Sequence, residues 1–344
     1  MVRILFIRHG MTVGNLASAK MAIRVAKGQV RGEDAHEIER DESFALGFSE
    51  GSGDTSLSDY KGGGVEEAQR LGEYWCKILQ GKVDAGEAHV FVSPMIRCQQ
   101  TADPLMQKLR TTATIQPLIM ELPGLCAPDD RIFLDEVIWP LFEAGKDKEA
   151  QAKMLQHQWT RCGATKKEIQ TNFPWAERFN SVTEDERWWK GMWERPRETT
   201  ERIHAAEKWL LGLAKTLPED DVVLLFSHGD TIWRLLSSLV GIDATGEGTA
   251  IEHATANTSI SSVKVTQRPE GSGEGSGGSE FYVQLDFYNR TPHLGERNEE
   301  FYKFNGLMKR PPSKSKSKSK SKQIDLSEGM REDRLRAKEF FAKL

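Results

Sequence analysis

The fold is decided by residues 2–12, VRILFIRHGMT, in which a strand-like run leads directly into Arg8, His9 and Gly10. The run Val2–Ile7 is short, largely apolar and partly β-branched, which predicts a buried strand. Open α/β sheets bind ligands at the carboxyl ends of their strands, so the position of Arg8 and His9 indicates a binding site. An imidazole nitrogen can attack phosphorus, and a guanidinium neutralises and orients phosphate oxygens. The stretch therefore predicts a sheet with phosphate chemistry at its edge.

The rest of the chain repeats this alternation of apolar runs and helical patterns. Runs typical of buried strands occur at 89–92, 114–119 and 221–227. Two alternating stretches, Thr258–Val265 and Phe281–Tyr288, predict a late hairpin. Helical periodicity is found at Val65–Leu79, Met95–Leu109, Glu198–Leu213 and Thr231–Val240. We expect an α/β three-layer sandwich, with a central, mostly parallel sheet flanked by helices.

The domain organisation predicted from composition is one large domain followed by a tail. The domain spans 1–307, and a basic Ser-Lys linker at 308–325 is expected to be disordered, ahead of a C-terminal helix at 326–344. Three stretches interrupt the domain: a loop excursion rich in Gly, Asp, Glu and Ser at 28–64, a largely helical insertion bearing tryptophans at 127–197, and a flexible Gly/Ser loop at 268–280.

Composition and charge exclude several classes of protein. The net charge of −4 argues against a chain that binds nucleic acid along its whole length. The four cysteines form no CxxC pair, and no apolar run reaches the length of a membrane span. Because the chain also opens without a signal-peptide pattern, we expect a cytoplasmic protein with no membrane association. The basic tract 309–322 would either direct nuclear import or bind an acidic partner, or serve only as a solvated linker.

Two further predicted strand ends carry the same kinds of residue. Ser227 and His228 follow the run 221–227, and Arg97 follows the run 89–92 by a few residues. If the strands are neighbours, His228 and Arg97 join Arg8 and His9 at one edge of the sheet. So much positive potential predicts that the site binds an anion.

These motifs, in this order, resemble the histidine phosphatase superfamily, also called phosphoglycerate mutase-like. The resemblance covers roughly residues 1–295. It is carried by Arg8-His9-Gly10-Met11-Thr12 with Asn15; by Leu57-Ser58 with Gly64-Val65-Glu66-Glu67-Ala68; by Ser93, Arg97, Cys98, Thr101 and Ala102; by Leu118 to Gly124 with Glu121; and by Ser227-His228-Gly229.

The resemblance implies a role for each site residue. His9 would attack phosphorus and become phosphohistidine, while Arg8, Arg97 and His228 would bind the phosphoryl oxygens. Asn15 would add a phosphate contact. Glu121 would protonate the leaving oxygen and then activate water. The mechanism implied needs no metal and no cofactor.

Some of these assignments have alternatives. Asp230 lies close after His228 and is a second candidate for the proton donor, ranked behind Glu121 because Gly229 intervenes, and N-capping of a helix would also explain it. Asn15 and His228 could likewise be helix caps.

The activity predicted is metal-independent hydrolysis of a phosphomonoester, carried by either a small molecule or a protein. Phosphoglycerate mutases resemble one another in a Phe-x-Gly-Trp segment, and this segment is absent after Asn15. We therefore expect hydrolysis, with a 2,3-bisphosphoglycerate-type mutase as the alternative. A catalytically weak scaffold that uses residues 309–344 to bind a partner is the other alternative. The motifs leave the identity of the phosphomonoester and the oligomeric state open.

Overall fold

The computed structural model describes residues 1–16, 56–59, 63–120, 137–156, 163–180, 187–188, 196–241, 255–268 and 280–294. Most of the predicted 28–64 excursion lies outside these residues. So do nearly all of the Gly/Ser loop and everything after Leu294, including the predicted linker and C-terminal helix.

A seven-stranded sheet forms the centre of the described part of the chain. The strands are β1 Val2–Arg8, β2 Ala88–Val92, β3 Ala113–Ile115, β4 Ala176–Phe179, β5 Val222–Ser227, β6 Ile260–Gln267 and β7 Phe281–Arg290. They are ordered β4-β3-β2-β5-β1-β6-β7. The five strands from β4 to β1 pair in parallel, while β6 and β7 add an antiparallel hairpin beside β1. The predicted mostly parallel sheet is confirmed.

Helices cover both faces of this sheet. They are α1 Gly64–Asp84, α2 Ile96–Leu109, α3 Trp139–Glu143, α4 Asp147–Gln156, α5 Lys166–Asn172, α6 Pro196–Thr216 and α7 Gly229–Leu239. Successive side chains of a strand point to opposite faces, and β1 divides its side chains accordingly. Leu5 and Ile7 pack in a core with α1 and α2, whereas Ile4 and Phe6 pack in a second core with α6 and α7. The predicted three-layer architecture is confirmed.

Two local features differ from the sequence prediction. The strand expected over 114–119 ends at Ile115 and is followed by a 3₁₀ turn, Pro117–Ile119. Pro117 has no N–H to give to a strand ladder, and the Gln116 side chain accepts a hydrogen bond from the Leu118 N–H, which stabilises the turn. Strand β4 was not predicted at all. It lies inside the stretch interpreted as a helical insertion, and it adds an edge strand beside β3.

The register of the parallel strands places three strand ends side by side. Arg8 of β1 pairs with Ser227 of β5, and Val92 of β2 pairs with Phe226 of β5. The residues that follow these positions, His9, His228 and Ser93, therefore leave the sheet at the same edge.

Candidate active site

Two helices hold the loop after β1: α2 binds the N–H of Gly10, and α1 binds the N–H of Met11. The Gly10 N–H donates a hydrogen bond to Oγ1 of Thr101 on α2 across 2.9 Å. The Met11 N–H donates to Oε2 of Glu67 on α1 across 2.7 Å. Both acceptor residues are buried. Because these two consecutive N–H groups are bound to separate helices, the conformation of the backbone next to His9 is fixed.

His9 is almost fully buried, with 4% of its surface exposed, and the state of its ring follows from a single contact. Its Nδ1 lies 2.7 Å from the carbonyl oxygen of Gly10. A carbonyl oxygen can only accept, so Nδ1 carries the hydrogen and donates it. In the neutral ring, Nε2 then holds the lone pair, which makes Nε2 the nucleophilic atom.

The loop at 255–259, just before β6, supports the backbone of the two motif residues. The Thr258 N–H donates to the carbonyl oxygen of His9 across 3.2 Å, and the Arg8 N–H donates to the carbonyl oxygen of Ser259 across 3.0 Å. Thr258 has a φ of 52°, in the left-handed region that a β-branched residue seldom adopts. The surrounding contacts therefore hold this loop in a conformation that its sequence does not favour.

His228 lies next to His9, with ring centroids 5.3 Å apart, and is fully buried. Nε of Arg97 donates to its Nδ1 across 3.2 Å, and its Nε2 lies 2.8 Å from Oγ of Ser93. An arginine Nε–H can only donate, so Nδ1 accepts and the ring proton resides on Nε2, which donates to Ser93. His228 is thus brought to the site as predicted, and its observed partners make it a support for the Arg97 guanidinium. Direct contact of His228 with phosphate stays a prediction.

Arg8 packs against the amino terminus of α7. One of its terminal nitrogens donates to the carbonyl oxygen of Thr255. A Cβ added to Gly229 would lie 3.3 Å from Arg8 Nε and only 2.6 Å from Oγ1 of Thr255. Burial raises the pKa of Tyr288 to about 12, and the charge of Arg8 acts in the opposite direction. Arg8 therefore lies close against Gly229, where even a methyl group would crowd it.

A buried cysteine thiol, that of Cys98, lies beside the ring of His228. Sγ of Cys98 donates to the carbonyl oxygen of Ser227 across 3.5 Å and lies 3.4 Å from His228 Nε2. Cys98 is fully buried, so its contacts are with the protein interior. Together with Ser93 and Arg97, Cys98 surrounds the imidazole of His228.

Asn15 completes a capping box whose cap residue is Thr12. Its N–H donates to Oγ1 of Thr12 across 3.1 Å, and its Oδ1 accepts from the Thr12 N–H across 3.2 Å. This reciprocal pair satisfies two N–H groups at the start of the helical turn that begins at Val13. The cap is therefore Thr12, with Asn15 as its partner three residues later, and a phosphate contact from the Asn15 side-chain amide stays a prediction.

Of the two candidate proton donors, only Asp230 lies within the described residues. Glu121 lies outside the described residues. Asp230 is the second residue of α7, is exposed, and forms an ion pair with Arg234 one turn later across 2.7 Å. The N-cap position of α7 is His228, and no side chain caps the helix, so the capping role considered for Asp230 is not the one it has.

The arrangement as a whole suits an oxyanion. It brings two guanidiniums together with an imidazole whose neutral ring has its lone pair on Nε2, at one edge of the sheet. Within the described residues, no group of three or more His, Cys, Asp or Glu side chains is placed to hold a metal ion. No helix among them is long and apolar enough to cross a membrane.

Sequence reasoning identified the charged residues but not the loop at 255–259. Glu67, Ser93 and Thr101 were already within the quoted motifs, without a stated role. The loop contributes mostly backbone N–H and C=O groups, which every residue type carries, so its sequence contains no distinguishing signal.

Comparisons with known proteins agree with this site. A family model described as the histidine phosphatase superfamily, branch 1, matches residues 157–270, about a third of the chain, which includes His228. No curated protein matches the chain.

Solved structures that resemble this one share little sequence with it. A mycobacterial glucosyl-3-phosphoglycerate phosphatase is 17% identical, with 83% of this chain and 98% of that chain covered, at a TM-score of 0.42. A phosphoserine phosphatase from Entamoeba histolytica is 17% identical, with 86% and 100% covered, at a TM-score of 0.41. An ecdysone phosphate phosphatase from the silk moth Bombyx mori is 14% identical, with 95% and 98% covered, at a TM-score of 0.38. Because the sequence identities and TM-scores are this low, the function of this chain is inferred from its own residues. Over residues 157–270 the chain is thus similar to the histidine phosphatase superfamily, and the motif residues around His9 lie where the sequence predicted them.

Proposed function

We propose that this chain hydrolyses phosphomonoesters through a phosphohistidine formed at Nε2 of His9. The observation that carries the proposal is the hydrogen bond from His9 Nδ1 to the Gly10 carbonyl, because it places the proton of the neutral ring on Nδ1 and the lone pair on Nε2. The match of residues 157–270 to the histidine phosphatase superfamily model supports phosphate-ester hydrolysis in general.

The first half-reaction forms the intermediate. The Nε2 lone pair of His9 attacks phosphorus, the bond between phosphorus and the ester oxygen breaks, and that oxygen leaves with a proton from Glu121. Phosphoryl transfer depends mainly on positioning and charge stabilisation, which Arg8 and Arg97 would supply to the equatorial oxygens. Because Arg97 uses Nε to bind His228, its phosphate contacts would come from the terminal Nη groups.

The second half-reaction releases phosphate. Water attacks phosphorus and gives a proton to the Glu121 carboxylate, and the bond between phosphorus and Nε2 breaks. This restores the neutral imidazole of His9 and the protonated acid, so atoms and charges balance over the cycle. Asn15 is the further candidate for a phosphate contact.

The test is phosphate release together with trapping of the intermediate. Wild type and His9→Ala are assayed side by side against an aryl phosphate and a panel of metabolite phosphomonoesters and phosphopeptides. We expect His9→Ala to lose activity by about 10³-fold or more. After a rapid acid-free quench with labelled substrate, wild type should carry a base-stable, acid-labile phosphoryl group and His9→Ala none.

The matched control is His204→Ala, which changes an exposed histidine on α6. It should retain turnover and labelling. Normal turnover by His9→Ala would exclude His9 as the nucleophile. Turnover with a transferred rather than released phosphoryl group would identify a mutase instead.

A further inference from the structure

A turn after β7 contacts the loop at 255–259, which supports the backbone of His9. Nε2 of His293, in this turn, lies 2.9 Å from Oγ1 of Thr258. The Thr258 N–H in turn donates to the carbonyl oxygen of His9 across 3.2 Å. His293 is therefore linked to the candidate nucleophile through a single residue.

The end of β7 makes a second contact with the same loop. Oδ1 of Asn289 accepts a hydrogen bond from the Ala256 N–H across 2.7 Å, and the Asn289 N–H donates to Oγ of Ser261 across 3.0 Å. Asn289 has a φ of 56°, a left-handed conformation that asparagine adopts more readily than most residues. We call Asn289 and His293 the β7 brace, since each binds the 255–259 loop through its side chain.

The direction of the bond between His293 and Thr258 follows from the other contact of the hydroxyl. Thr258 has one hydroxyl hydrogen and donates it to the Asn257 carbonyl across 2.8 Å. Oγ1 therefore accepts from His293, whose Nε2 carries the hydrogen. Burial lowers the pKa of His293 to about 3, so the ring is neutral near pH 7 and this N–H is its one donor. Nδ1 of His293 is shielded from solvent and has no hydrogen-bond partner among the described residues.

Thr258 needs such a bond because of its backbone conformation. It is fully buried and has a φ of 52°, a left-handed value at which a β-branched side chain is crowded by its own backbone. A hydroxyl that both donates and accepts keeps the side chain, and with it the backbone, in this conformation. Relaxation of φ to a negative value would turn the Thr258 N–H away from the His9 carbonyl.

The peptide that joins His9 to Gly10 is held at both ends. Its carbonyl accepts from the Thr258 N–H, and its N–H donates to Oγ1 of Thr101 across 2.9 Å. The next carbonyl along the chain, that of Gly10, is the one that binds Nδ1 of His9. Release of one end allows this peptide to rotate, which would move the Gly10 carbonyl relative to the imidazole.

A purely structural explanation is that His293 anchors the hairpin on α1. Its ring centroid lies 6.4 Å from that of Tyr74, and such packing predicts only a loss of stability when His293 is replaced. The hydrogen bond is directed elsewhere, to a residue that both has a left-handed φ and binds the His9 carbonyl. This second contact predicts an effect on the nucleophile itself.

We propose that His293 is a positioning residue for the nucleophile: by holding Thr258, it fixes the peptide between His9 and Gly10 and thereby the Nδ1–H tautomer of His9. The proposal rests on the proposed function, in which Nε2 of His9 attacks phosphorus. Without the bond from His293, a smaller fraction of molecules should have the lone pair on Nε2 in the attacking position, so phosphohistidine should form more slowly.

The experiment compares His293→Leu, which removes the donor, with His293→Gln, whose side-chain amide can donate from nearly the same position. We expect His293→Leu to lower kcat/KM for p-nitrophenyl phosphate by about tenfold, because a displaced nucleophile attacks less often. Nitrogen NMR shifts of the His9 ring should show partial loss of the Nδ1–H tautomer. His293→Gln should restore both values. A loss that glutamine does not rescue, or an unchanged His9 tautomer in His293→Leu, would overturn the proposal.

Val283→Ala is the matched control, because it weakens the same hairpin at the end away from the loop. Val283 pairs with Val265 and packs, partly buried, against the core shared with α6 and α7. The variant should lower the free energy of unfolding in urea while leaving kcat/KM and the His9 tautomer as in wild type. An equal loss of activity in Val283→Ala would show that hairpin stability, rather than the bond from His293, sets the rate.

A second variant tests the route through Thr258. Thr258→Gly adopts the left-handed region without strain but has no hydroxyl for His293 to bind. Adding His293→Leu to Thr258→Gly should cause no further loss of kcat/KM, since both changes act through one bond. Additive losses would show that His293 acts by another path. Failure of the phosphohistidine mechanism would appear separately, as retained turnover in His9→Ala, and the tautomer measurement does not depend on turnover.

Discussion

Arg97 and His228, 131 residues apart in the chain, are joined by a hydrogen bond from Nε of the arginine to Nδ1 of the histidine across 3.2 Å. The guanidinium has no acceptor atom, so the bond requires His228 to be neutral at Nδ1. The arginine gains a fixed plane, and the histidine gains a fixed tautomer, with its remaining proton directed at Ser93. The orientation of the Arg97 guanidinium therefore depends on His228 and, through His228, on Ser93.

Replacing Arg97 by lysine tests whether activity needs the planar shape of the guanidinium as well as its positive charge. Arg97→Lys keeps the positive charge, but its three N–H groups lie on a single nitrogen, which cannot reproduce the spread of the planar guanidinium between His228 and a phosphate. We expect kcat/KM for an aryl phosphate to fall by about 100-fold, the usual cost of losing one charge-stabilising group. The control Arg197→Lys changes an exposed arginine that pairs with Glu201 on α6. Wild-type activity in Arg97→Lys would show that the planar fork is not needed.

Removing the hydroxyl of Ser93 should destabilise the neutral form of His228. Ser93→Ala leaves the buried Nε2–H of His228 without its oxygen partner. A buried unsatisfied donor costs about 1–3 kcal/mol, which urea unfolding should detect. Nitrogen NMR shifts of the His228 ring should also show loss of the single Nε2–H tautomer. An unchanged tautomer in Ser93→Ala would mean that Arg97 alone fixes the ring.

A methyl group on Gly229 should disturb the site, whereas one on Gly212 should not. The Cβ of Gly229→Ala would approach Thr255 Oγ1 to 2.6 Å and Arg8 Nε to 3.3 Å. Displacing Arg8 by a fraction of an ångström should lower kcat/KM by between about 10- and 100-fold. Gly212 lies within α6 with nothing within 4 Å of its added Cβ, so Gly212→Ala should keep activity and gain about 0.5–1 kcal/mol of stability. Equal activity in the two variants would contradict this account of Arg8.

The stability of the protein should fall in mild acid because of His293. Burial lowers the pKa of His293 to about 3, with a smaller contribution from the charge of Arg70. The unfolded chain takes up a proton near the ordinary pKa of about 6.5, while the folded chain does not. Stability is therefore full above pH 6.5, declines as the pH falls from 6.5 towards 3, and declines no further from this group below that.

The size of this effect can be measured against a variant. From pH 7.5 to pH 5, His293 should cost the folded state about 1–2 kcal/mol in the free energy of unfolding from urea titrations. His293→Gln cannot titrate and should lose that part of the pH dependence. His204→Ala, which removes an exposed histidine on α6, should retain it. Identical pH dependence in wild type and His293→Gln would show that His293 is not the cause.

Chelating agents should leave catalysis intact. In the proposed mechanism, the charge on the transferring phosphoryl group is balanced by Arg8 and Arg97, a task that a metal ion performs in other phosphoryl-transfer enzymes. Phosphate release should be the same before and after dialysis against EDTA. Loss of activity that returns on adding a divalent cation would identify a metal requirement.

Much of the site could be predicted because its charged residues follow recognisable strands. His9 and His228 each come directly after a continuous apolar run, and such runs are typical of central strands covered on both faces. Their carboxyl ends meet at one edge, so proximity of the two histidines follows once the strands are neighbours. The structure confirms this with ring centroids 5.3 Å apart.

Strand β4 and the end of β3 could not be predicted from the local sequence. Strand β4 is short and lies at the edge of the sheet, and its sequence AERF alternates weakly, so only pairing with β3 makes it a strand. Strand β3 ends at Ile115 because of Pro117, whereas periodicity alone predicted that the strand continues to residue 119. Weak, short elements are set by their tertiary neighbours more than by propensity.

The sequence by itself determined the fold class and the chemical types at the site, because apolar periodicity and motif spacing are local properties of the chain. Only the tertiary structure decided how these groups are used. It paired Arg97 with His228, gave His9 its tautomer through Gly10, and brought the 255–259 loop against the backbone of His9. The reason is physical: hydrogen-bond partners depend on distances of about 3 Å, and separation along the chain does not encode such distances.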